Sequence, residues 1–450
     1  MYKILLKYIQ SNSWIENRKY SLIFGISDFI IYTFLCFSQL EINNLSNFII
    51  ISIYISLSMI LYYIFGRYNR LEKNRFSLLK ILKEFLFPII ISFLLVFIII
   101  NLTNFNNGNL LITYELLKIS FLALFLNLIT KFFFDVAFNN FKKKNKYWVA
   151  ILSMKQSKDL QYKIKKIGFK ININYYDQNY LNSLKTEDLI GIIYERNILN
   201  DSIFNELNKL SIKKKFKIID IDNFYDKILN LFSEGFIENR VSINYLNVNN
   251  NFQELFIKRC IDIIFSGMLL IIFSPIILFT TILIKIEDNK SIFYFQKRHK
   301  LNMDTFKIIK FRSMQINAEE NGPKWSKKND TRITNVGNFI RKYRIDELPQ
   351  LISVLKGEMS LIGPRPERPE IDEKLLKLIQ NYDLRYKYRP GITGWAQVNY
   401  SYGASIEDAK IKLGYDLYYI KNFSILLDLF ILLKTIKVIF KENYSYPNNF

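Results

Sequence analysis

Long apolar blocks separated by polar loops occupy the first 140 residues of the chain. Four blocks have the length of a membrane span, which needs about 20 mostly apolar residues. They run over Tyr20–Ser38, Phe48–Gly66, Phe85–Ile100 and Leu110–Phe134. No small-residue cleavage site follows the first block and further blocks come after it, so we interpret it as a span and not as a cleavable signal peptide. The pattern predicts an α-helical bundle of four spans over residues 1–140.

Basic residues are distributed unequally among the loops of this bundle. The loop after the second block contains Arg67, Arg70, Lys73, Arg75, Lys80 and Lys83, and the fourth block is followed by Lys142, Lys143, Lys144 and Lys146. The alternate loops, Glu41–Asn47 and Asn101–Asn109, contain neither Lys nor Arg. Because cytoplasmic loops carry the excess of basic residues, we expect both ends of the bundle in the cytoplasm.

Ionisable residues also occur within or beside the apolar blocks, namely Asp28, Glu115, Lys118, Lys131 and Asp135. A charge inside a membrane is a functional candidate by default, and a proton relay is one interpretation. Glu115 and Lys118, three residues apart, have the spacing of a pair on one helix face. We favour pairing, packing or an interfacial position over a relay.

From Tyr147 onward, short apolar runs alternate with charged helical stretches. Strands are predicted over Tyr147–Leu152, Ile171–Tyr175, Leu189–Tyr194 and Lys215–Ile221, with a helix over Lys158–Ile167. Strands alternating with helices predict a parallel α/β, Rossmann-like domain over residues 141–250. The first strand leads into Ser153–Ser157, which contains no glycine. Without glycine the backbone cannot approach a pyrophosphate closely, so we expect no NAD site.

Asp220-Ile221-Asp222 follows the last of these strands. The triplet resembles the D-x-D metal site of nucleotide-sugar glycosyltransferases, but a polar strand end explains a single D-x-D equally well. We favour the structural interpretation. A direct glycosyltransferase that uses Asp220 and Asp222 and releases UDP is kept as an alternative.

A fifth apolar run, Ile261–Ile284, is again long enough to cross a membrane. Both flanks are basic, with Lys258 and Arg259 before the run and Lys285, Lys290, Lys297, Arg298 and Lys300 after it. A spanning helix would leave one basic group on the wrong side. Ser274-Pro275 lies in the middle of the run, and proline breaks or kinks a helix. We therefore predict a re-entrant membrane helix over residues 258–286, with a kinked fifth span as the alternative.

Cations and carboxylates follow this run. In the strand predicted over Thr305–Met314, the period of two places Lys310 and Arg312 on one face, which suits a solvated edge or an anion site. Asp346 and Glu347 come just before a predicted helix, at the end where the helix macrodipole favours negative charge.

Neighbouring residues support a helix after the dyad and place arginines near it in sequence. Pro349 suits the first turn of the helix and Gly357 suits its end. Arg341 and Arg344 are close in sequence, and prolines on either side restrict the backbone around Arg365.

Adjacent carboxylates among arginines fit phosphoryl transfer. One carboxylate can attack phosphorus as a nucleophile, and the other can hold Mg²⁺, which prefers oxygen ligands and substrate phosphates. Guanidinium groups bind phosphate oxygens in two-pronged geometry. For an isolated Asp-Glu pair, a capped helix with surface ion pairs would be the better interpretation.

Four ordered motifs go beyond an isolated pair. They are Lys310–Met314 (KFRSM), Asp346–Leu351 (DELPQL), Gly363–Pro366 (GPRP) and Pro390–Asn399 (PGITGWAQVN). Together they resemble the bacterial sugar transferase family, the polyprenyl-phosphate glycosyl-1-phosphate transferases of exopolysaccharide, capsule and O-antigen assembly. The specific motifs cover roughly Phe256 to the C-terminus, and the arrangement of four spans followed by an α/β domain resembles the long members of the family.

The resemblance implies transfer of a hexose 1-phosphate from a UDP-sugar to undecaprenyl phosphate, with release of UMP. It implies that Asp346 is a covalent nucleophile and Glu347 a Mg²⁺ ligand. From their charge, we expect some or all of Lys310, Arg312, Arg341 and Arg365 to bind substrate phosphates. The resemblance also implies a bend at Ser274-Pro275 in the re-entrant helix. The fold class expected for residues 251–450 is a mainly α, α+β monotopic catalytic domain, and the location is the bacterial inner (plasma) membrane with this domain in the cytoplasm.

Two departures from the family pattern concern local structure. The strand turn carries Lys300 and Met303 where the family usually has glycines, and Ser353 replaces an Asn that is common in the helix after the dyad. The core motifs are intact, so these differences affect loop details.

Composition limits the alternatives. Half of the residues are hydrophobic, and 62 Lys and Arg against 40 Asp and Glu give a net charge of +22. The hydrophobic content excludes disorder. Cys36 and Cys260 cannot form a disulfide framework or a zinc cluster, and a catalytic His pair would have to use His299, the one histidine.

The positive charge suits a membrane partner. We find no nucleic-acid module and expect no nucleic-acid partner. The segment Phe423–Phe440, with Lys421, Lys434, Lys437 and Lys441 in or beside it, suits an interfacial helix attracted to anionic lipid. A homodimer is left open, and a membrane-anchored, non-catalytic regulator of polysaccharide assembly is the rival of another class.

Overall fold

The computed structural model describes residues 18–39, 45–68, 82–102, 109–140, 147–167, 173–175, 189–198, 201–240, 246, 252–318, 330–400, 403 and 405–439. The basic stretches at 69–81 and 141–146 and the last eleven residues, 440–450, lie outside these ranges. The chain divides into two compact units, Met1–Asn145 and Lys146–Phe450, and each is described by itself.

In the part that the structure describes, the first unit is a bundle of four α-helices. Its helices are α1 (Lys19–Gln39), α2 (Leu45–Phe65), α3 (Phe87–Leu102) and α4 (Asn109–Asn140). A π-helical turn, Leu82–Leu86, precedes α3. Each helix coincides with a predicted block to within a few residues, and all four are long and apolar enough to cross a membrane. Tyr32, Tyr54 and Tyr62 are buried in the centre, whereas large apolar side chains such as Phe34 and Phe121 point outward.

Three pairs of oppositely charged residues lie in the described part of the bundle. The Arg67 guanidinium donates two hydrogen bonds of 2.5 Å to the Asp28 carboxylate, and both side chains are fully buried. Lys131 pairs with Glu84, and Lys118 lies 3.6 Å from Glu115. The pairing that we favoured over a relay is thus present for Asp28, Glu115, Lys118 and Lys131. The side chain of Asp135 lies outside the described part.

The second unit begins with a four-stranded parallel sheet of order β2-β1-β3-β4. Its strands are β1 (Tyr147–Ile151), β2 (Ile173–Tyr175), β3 (Leu189–Tyr194) and β4 (Lys217–Asp220), and its helices include α5 (Met154–Ile167) and α6 (Asp201–Lys214). The predicted strands and their parallel arrangement are confirmed. The last strand is shorter than predicted, because Lys215 adopts a left-handed conformation before it and a helix begins at Ile221.

Both aspartates of the D-x-D triplet make contacts with neighbouring residues of the protein. Asp220 caps α7 (Ile221–Phe224) by accepting from the Asn223 backbone, and it pairs with Arg196 at 2.8 Å. Ser233 donates to Asp222. These contacts agree with the structural interpretation.

The segment after the sheet packs on the C-terminal part of the chain. Helix α8 (Glu234–Arg240) follows, and the Phe232 amide donates to the Gly414 carbonyl. Asn230 accepts from Trp395 at 3.0 Å. Residues 146–450 form one compact unit, and the division of this unit at residue 250 stays a prediction.

Helix α9 (Phe252–Asp288) contains the fifth apolar run and Pro275. The helix continues through Ser274 and Pro275, so the expectation that proline interrupts it at this point is wrong. Pro275 cannot donate to the Ile271 carbonyl, and the Ser274 hydroxyl donates to it instead at 2.8 Å. The Ser274 hydroxyl thus satisfies the carbonyl that Pro275 leaves without an amide donor.

Both halves of α9 contact the same small region. Arg259 donates to the Val354 carbonyl at 2.6 Å, while Ile284 packs in a cluster that Ile345 also contacts. A straight helix would separate residues 259 and 284 by about 37 Å at ~1.5 Å per residue, whereas the mostly helical segment from 345 to 354 spans roughly 15–20 Å. Both ends of the helix therefore contact this region, and a bend at Ser274-Pro275 stays a prediction. Near the middle, Ile271 is 76% and Leu278 64% exposed.

The remaining elements surround the predicted chemistry. They are the antiparallel hairpin β5 (Phe293–His299) and β6 (Thr305–Phe311), α10 (Asn335–Lys342), α11 (Gln350–Lys356), β7 (Ser360–Ile362), α12 (Pro369–Leu378), β8 (Gly391–Thr393), α13 (Trp395–Asn399), α14 (Ile406–Lys421) and α15 (Ile425–Ile439). Strands β7 and β8 pair in parallel and bring GPRP beside PGITG. The backbones approach so closely that a Cβ on Gly363 would collide with the Arg389 carbonyl, and one on Gly394 with the Gly363 carbonyl.

Candidate active site

The predicted dyad lies on a short 3₁₀ turn, Ile345–Glu347, between α10 and α11. Helix α11 begins directly after Pro349 and ends at Gly357, whose φ of 83° is left-handed, so the local prediction is confirmed. Asp346 and Glu347 are buried, with 9% and 8% of their surface exposed. Two adjacent carboxylates are thus held out of water at one point of the domain.

Glu347 is surrounded by cations. Arg365 donates to both of its oxygens, at 2.6 and 3.3 Å. Lys310 and Arg344 lie 3.7 and 3.6 Å from Oε1. Although burial opposes ionisation, these positive charges, with Arg365 the strongest, hold the pKa of Glu347 well below its usual range.

Asp346 has the opposite environment. Its Oδ1 is buried and has no hydrogen-bond partner among the described residues. Burial, and then the negative charge of Glu347, raise the pKa of Asp346, while Lys310, Arg344 and Arg341 oppose the shift. Neighbouring carboxylates pushed in opposite directions are the pattern of a site in which the two groups have different roles.

Lys310 faces this pair from β6. Burial lowers the pKa of its ammonium to about 8, with Glu347 opposing and the nearby Arg365 and Arg298 reinforcing the shift. The three predicted phosphate ligands Lys310, Arg341 and Arg365 are therefore all close enough to influence the dyad electrostatically. Their binding of phosphate stays a prediction.

Arg312 is placed differently from our expectation. Strand β6 ends at Phe311, and the Arg312 guanidinium donates at 2.6 and 2.5 Å to Asp288, at the end of α9. Its Nε donates to the Ser291 carbonyl at 2.6 Å. The strand alternation that grouped Arg312 with Lys310 does not continue past Phe311, so the two cations are not gathered on one carboxylate.

Sequence reasoning passed over several contributors. Arg344 was noted only as a neighbour in sequence, yet it contacts Glu347. Arg298 was counted only as a basic flank of the apolar run, although it influences Lys310. His299, which we did consider as the one possible catalytic histidine, pairs at 2.6 Å with the buried Asp372, to which Tyr386 also donates.

The donor set determines whether the site suits Mg²⁺. Among residues that the structure describes, no three His, Cys, Asp or Glu side chains form a metal-binding group. Asp346 and Glu347 nevertheless supply adjacent carboxylates, and an Asp346 oxygen is without a partner in the described part. Mg²⁺ is usually held by one or two carboxylates together with water and substrate phosphates. The residues fit a magnesium site that substrate completes.

Comparison with known proteins agrees with the motifs. Residues 253–442 match the family model described as bacterial sugar transferase. The chain is 45% identical over 206 residues to the UDP-N-acetylgalactosamine-undecaprenyl-phosphate N-acetylgalactosaminephosphotransferase of Aeromonas hydrophila, covering 44% of this chain and 49% of the relative. It is 35% identical over 192 residues to a UDP-glucose:undecaprenyl-phosphate glucose-1-phosphate transferase of Escherichia coli (strain K12), covering 42% and 41%.

The chain thus matches about half of the length of the first relative and 41% of the length of the second. A third relative, the UDP-glucose:undecaprenyl-phosphate glucose-1-phosphate transferase of Caulobacter vibrioides, is 36% identical over 193 residues, which are 42% of this chain but 72% of the relative. The matched segment contains the dyad and all four motifs. The chain belongs to the bacterial sugar transferase family.

Proposed function

We propose that the protein transfers a sugar 1-phosphate from a UDP-sugar to undecaprenyl phosphate and releases UMP. The observation that carries this proposal is the asymmetry of the dyad, in which Glu347 is held by cations while a buried oxygen of Asp346 has no partner in the described part of the chain. The names of the relatives support the same substrate classes.

In the first step, an ionised oxygen of Asp346 attacks the phosphorus that carries the sugar. The bond from that phosphorus to the bridging oxygen of the diphosphate breaks, and UMP leaves with the electron pair. The product is a sugar phosphate esterified to Asp346. A covalent intermediate lets one carboxylate serve the water-soluble donor and the lipid acceptor in turn.

In the second step, a phosphate oxygen of undecaprenyl phosphate attacks the same phosphorus. The bond to Asp346 breaks, which restores the carboxylate and yields undecaprenyl diphosphate sugar. Atoms and charge balance, because the bond formed to the lipid replaces the bond broken to UMP.

Cationic side chains offset the charge of the diphosphate. Without Arg365, Lys310 and Arg341, the carboxylate nucleophile would face an anion that repels it. The guanidinium groups also suit phosphate oxygens. Mg²⁺ is the proposed cofactor with Glu347 as its protein ligand, and when bound it neutralises phosphate charge. Arg312 is proposed to act on phosphate indirectly at most, since it lies on Asp288 and is not among the cations that influence the pKa values of the dyad.

The membrane placement follows from the same chemistry. The acceptor keeps its phosphate at the membrane surface, so the dyad has to lie there. We propose that α9 bends at Ser274-Pro275 and is re-entrant, and that α15 with exposed Leu426 and Leu429 lies at the interface. The rest of residues 146–450 would then face the cytoplasm of a bacterial inner membrane. The product would start a repeat unit of an exopolysaccharide, capsule or O-antigen.

Nucleotide release tests the proposal. The full chain in detergent or nanodiscs is incubated with undecaprenyl phosphate, Mg²⁺ and, separately, UDP-N-acetylgalactosamine, UDP-glucose and UDP-galactose. We expect UMP with at least one donor, and loss of activity in EDTA that added Mg²⁺ restores. UDP as the product would favour the direct glycosyltransferase, and no nucleotide release with a panel of UDP-sugars would favour the regulator.

A further inference from the structure

The loop that carries Arg365 is tied down along its backbone. Pro364 and Pro366 have no N–H, so the loop is held mainly through its carbonyls. Four consecutive carbonyls accept hydrogen bonds. The Pro364 carbonyl accepts from the Gly391 amide at 2.9 Å, and the Glu367 carbonyl accepts from the His299 amide at 3.3 Å.

The two carbonyls between them are held by arginine side chains. Arg385 donates to the Arg365 carbonyl at 2.8 Å, and Arg298 donates to the Pro366 carbonyl at 3.0 Å. These arginines approach from different elements, the 3₁₀ turn Tyr382–Lys387 and strand β5. The loop is therefore clamped from two sides.

Arg385 is itself immobilised. It is buried, lies 2.8 Å from the carboxylate of Asp416 on α14, and donates to the Tyr382 hydroxyl at 2.5 Å. Its guanidinium also lies over the rings of Tyr382 and Tyr386, 5.1 and 5.4 Å from their centroids. Because these contacts hold the Arg385 guanidinium in one place, its hydrogen bond also holds the Arg365 carbonyl in one place.

Arg298 is held in a similar way. It donates to Gln296 at 2.6 Å and to the Glu367 carboxylate at 3.4 Å. Its side chain is only 14% exposed. Both arginines therefore bind the backbone of the loop, whereas the side chain of Arg365 contacts Glu347.

We propose that Arg385 and Arg298 are positioning residues, which fix the Gly363–Glu367 loop so that the Arg365 guanidinium stays on Glu347 in two-pronged contact. The inference rests on the proposed function. Two-pronged contacts need a planar fork at a fixed distance, and an arginine on a loose loop would first have to lose its rotamer freedom. Displacement by about 1 Å of such a group is enough to slow catalysis strongly.

The test asks whether Arg385 acts through Arg365. Arg385→Lys keeps the charge beside Asp416 but loses the fork that also reaches the loop. We expect kcat for UMP release to fall about tenfold with KM for the UDP-sugar changed by less than about threefold. In an Arg365→Ala background, Arg385→Lys should cause no further loss, because the group that it positions is gone.

Controls separate the possible failures. Arg196→Lys alters another Arg–Asp pair, on the parallel sheet, and should leave kcat unchanged. Should Arg385→Lys fail to fold, as judged by its melting temperature, Arg298→Lys carries the same cycle with the same expectation. Losses that multiply in the double variant would overturn the inference while leaving the proposed function intact. Absence of UMP release by the wild type and by Arg196→Lys would instead overturn the proposed function.

Discussion

Arg365 donates to both carboxylate oxygens of Glu347, at 2.6 and 3.3 Å, although the two residues are 18 positions apart in the chain. The contact favours the ionised state of Glu347, whereas the adjacent Asp346 has a buried oxygen without a hydrogen-bond partner among the described residues. Neither the DELPQL nor the GPRP motif has this property alone. The difference in environment between the two carboxylates thus comes from the packing of one motif against the other.

Arg312 should stabilise the fold more than it assists catalysis. Its guanidinium pairs with Asp288 and holds the Ser291 carbonyl, so it joins α9 to β6. Arg312→Gln leaves Asp288 without its partner, and we expect a loss of about 1–3 kcal/mol in the free energy of unfolding. A thermal melt checks the stability, and kcat per folded molecule should change by less than about threefold. A large increase in KM for the UDP-sugar with an unchanged melt would mean that Arg312 binds phosphate directly.

Met303→Gly should stabilise the hairpin. Met303 has a φ of 65°, a left-handed conformation that costs an ordinary residue roughly 1 kcal/mol and glycine almost nothing. We expect a gain of about 0.5–1 kcal/mol, measured by denaturation, with UMP release unchanged. Lys300→Gly is the matched comparison, because Lys300 has a φ of −112° and gains nothing from glycine. Equal effects of both substitutions would refute this account of the turn.

Asp416 should make stability depend on pH. Burial raises the pKa of this carboxyl to about 6, although Arg385 opposes the shift. The folded state therefore holds a proton that the unfolded state, with an ordinary pKa near 3.9, has released, so this group's contribution falls as pH rises through the window from about 4 to 6. Asp416→Asn cannot titrate. The difference in unfolding free energy between wild type and variant should change by about 1.4 kcal/mol per pH unit in that window, and a pH-independent difference would contradict the assignment.

The two ends of α9 should face the same side of the membrane. Gln253 in the first turn of the helix and Lys290 just after its end are exposed, whereas Lys258 is buried against Asp428 and unsuited to labelling. In a chain lacking Cys36 and Cys260, cysteines at 253 and 290 should react with an impermeant maleimide only after the cells are permeabilised. Labelling of one position in intact cells would identify a fifth span.

Local signals accounted for much of the fold. Apolar block length gave the four bundle helices, and Pro349 with Gly357 bounded α11 around the dyad. Partners distant in sequence were harder to foresee. The Arg67–Asp28 pair joins residues 39 apart, and Arg298 reaches Pro366 across 68 residues. Periodicity misplaced Arg312 because it cannot indicate that the strand ends at Phe311, the residue before Arg312.

The central claim is a covalent sugar phosphate on Asp346, and single-turnover labelling tests it most directly. Wild-type protein receives UDP-sugar labelled in the sugar, first without acceptor and then with undecaprenyl phosphate. Asp346→Asn keeps the shape of the side chain but removes the nucleophile, and Glu347→Gln is the matched variant that should weaken metal-dependent turnover without removing it. We predict labelled wild-type protein with an equal burst of UMP, transfer of that label to lipid on adding acceptor, and neither burst nor label in Asp346→Asn. Near-wild-type turnover by Asp346→Asn would contradict the covalent mechanism and leave Asp346 as part of the helix start.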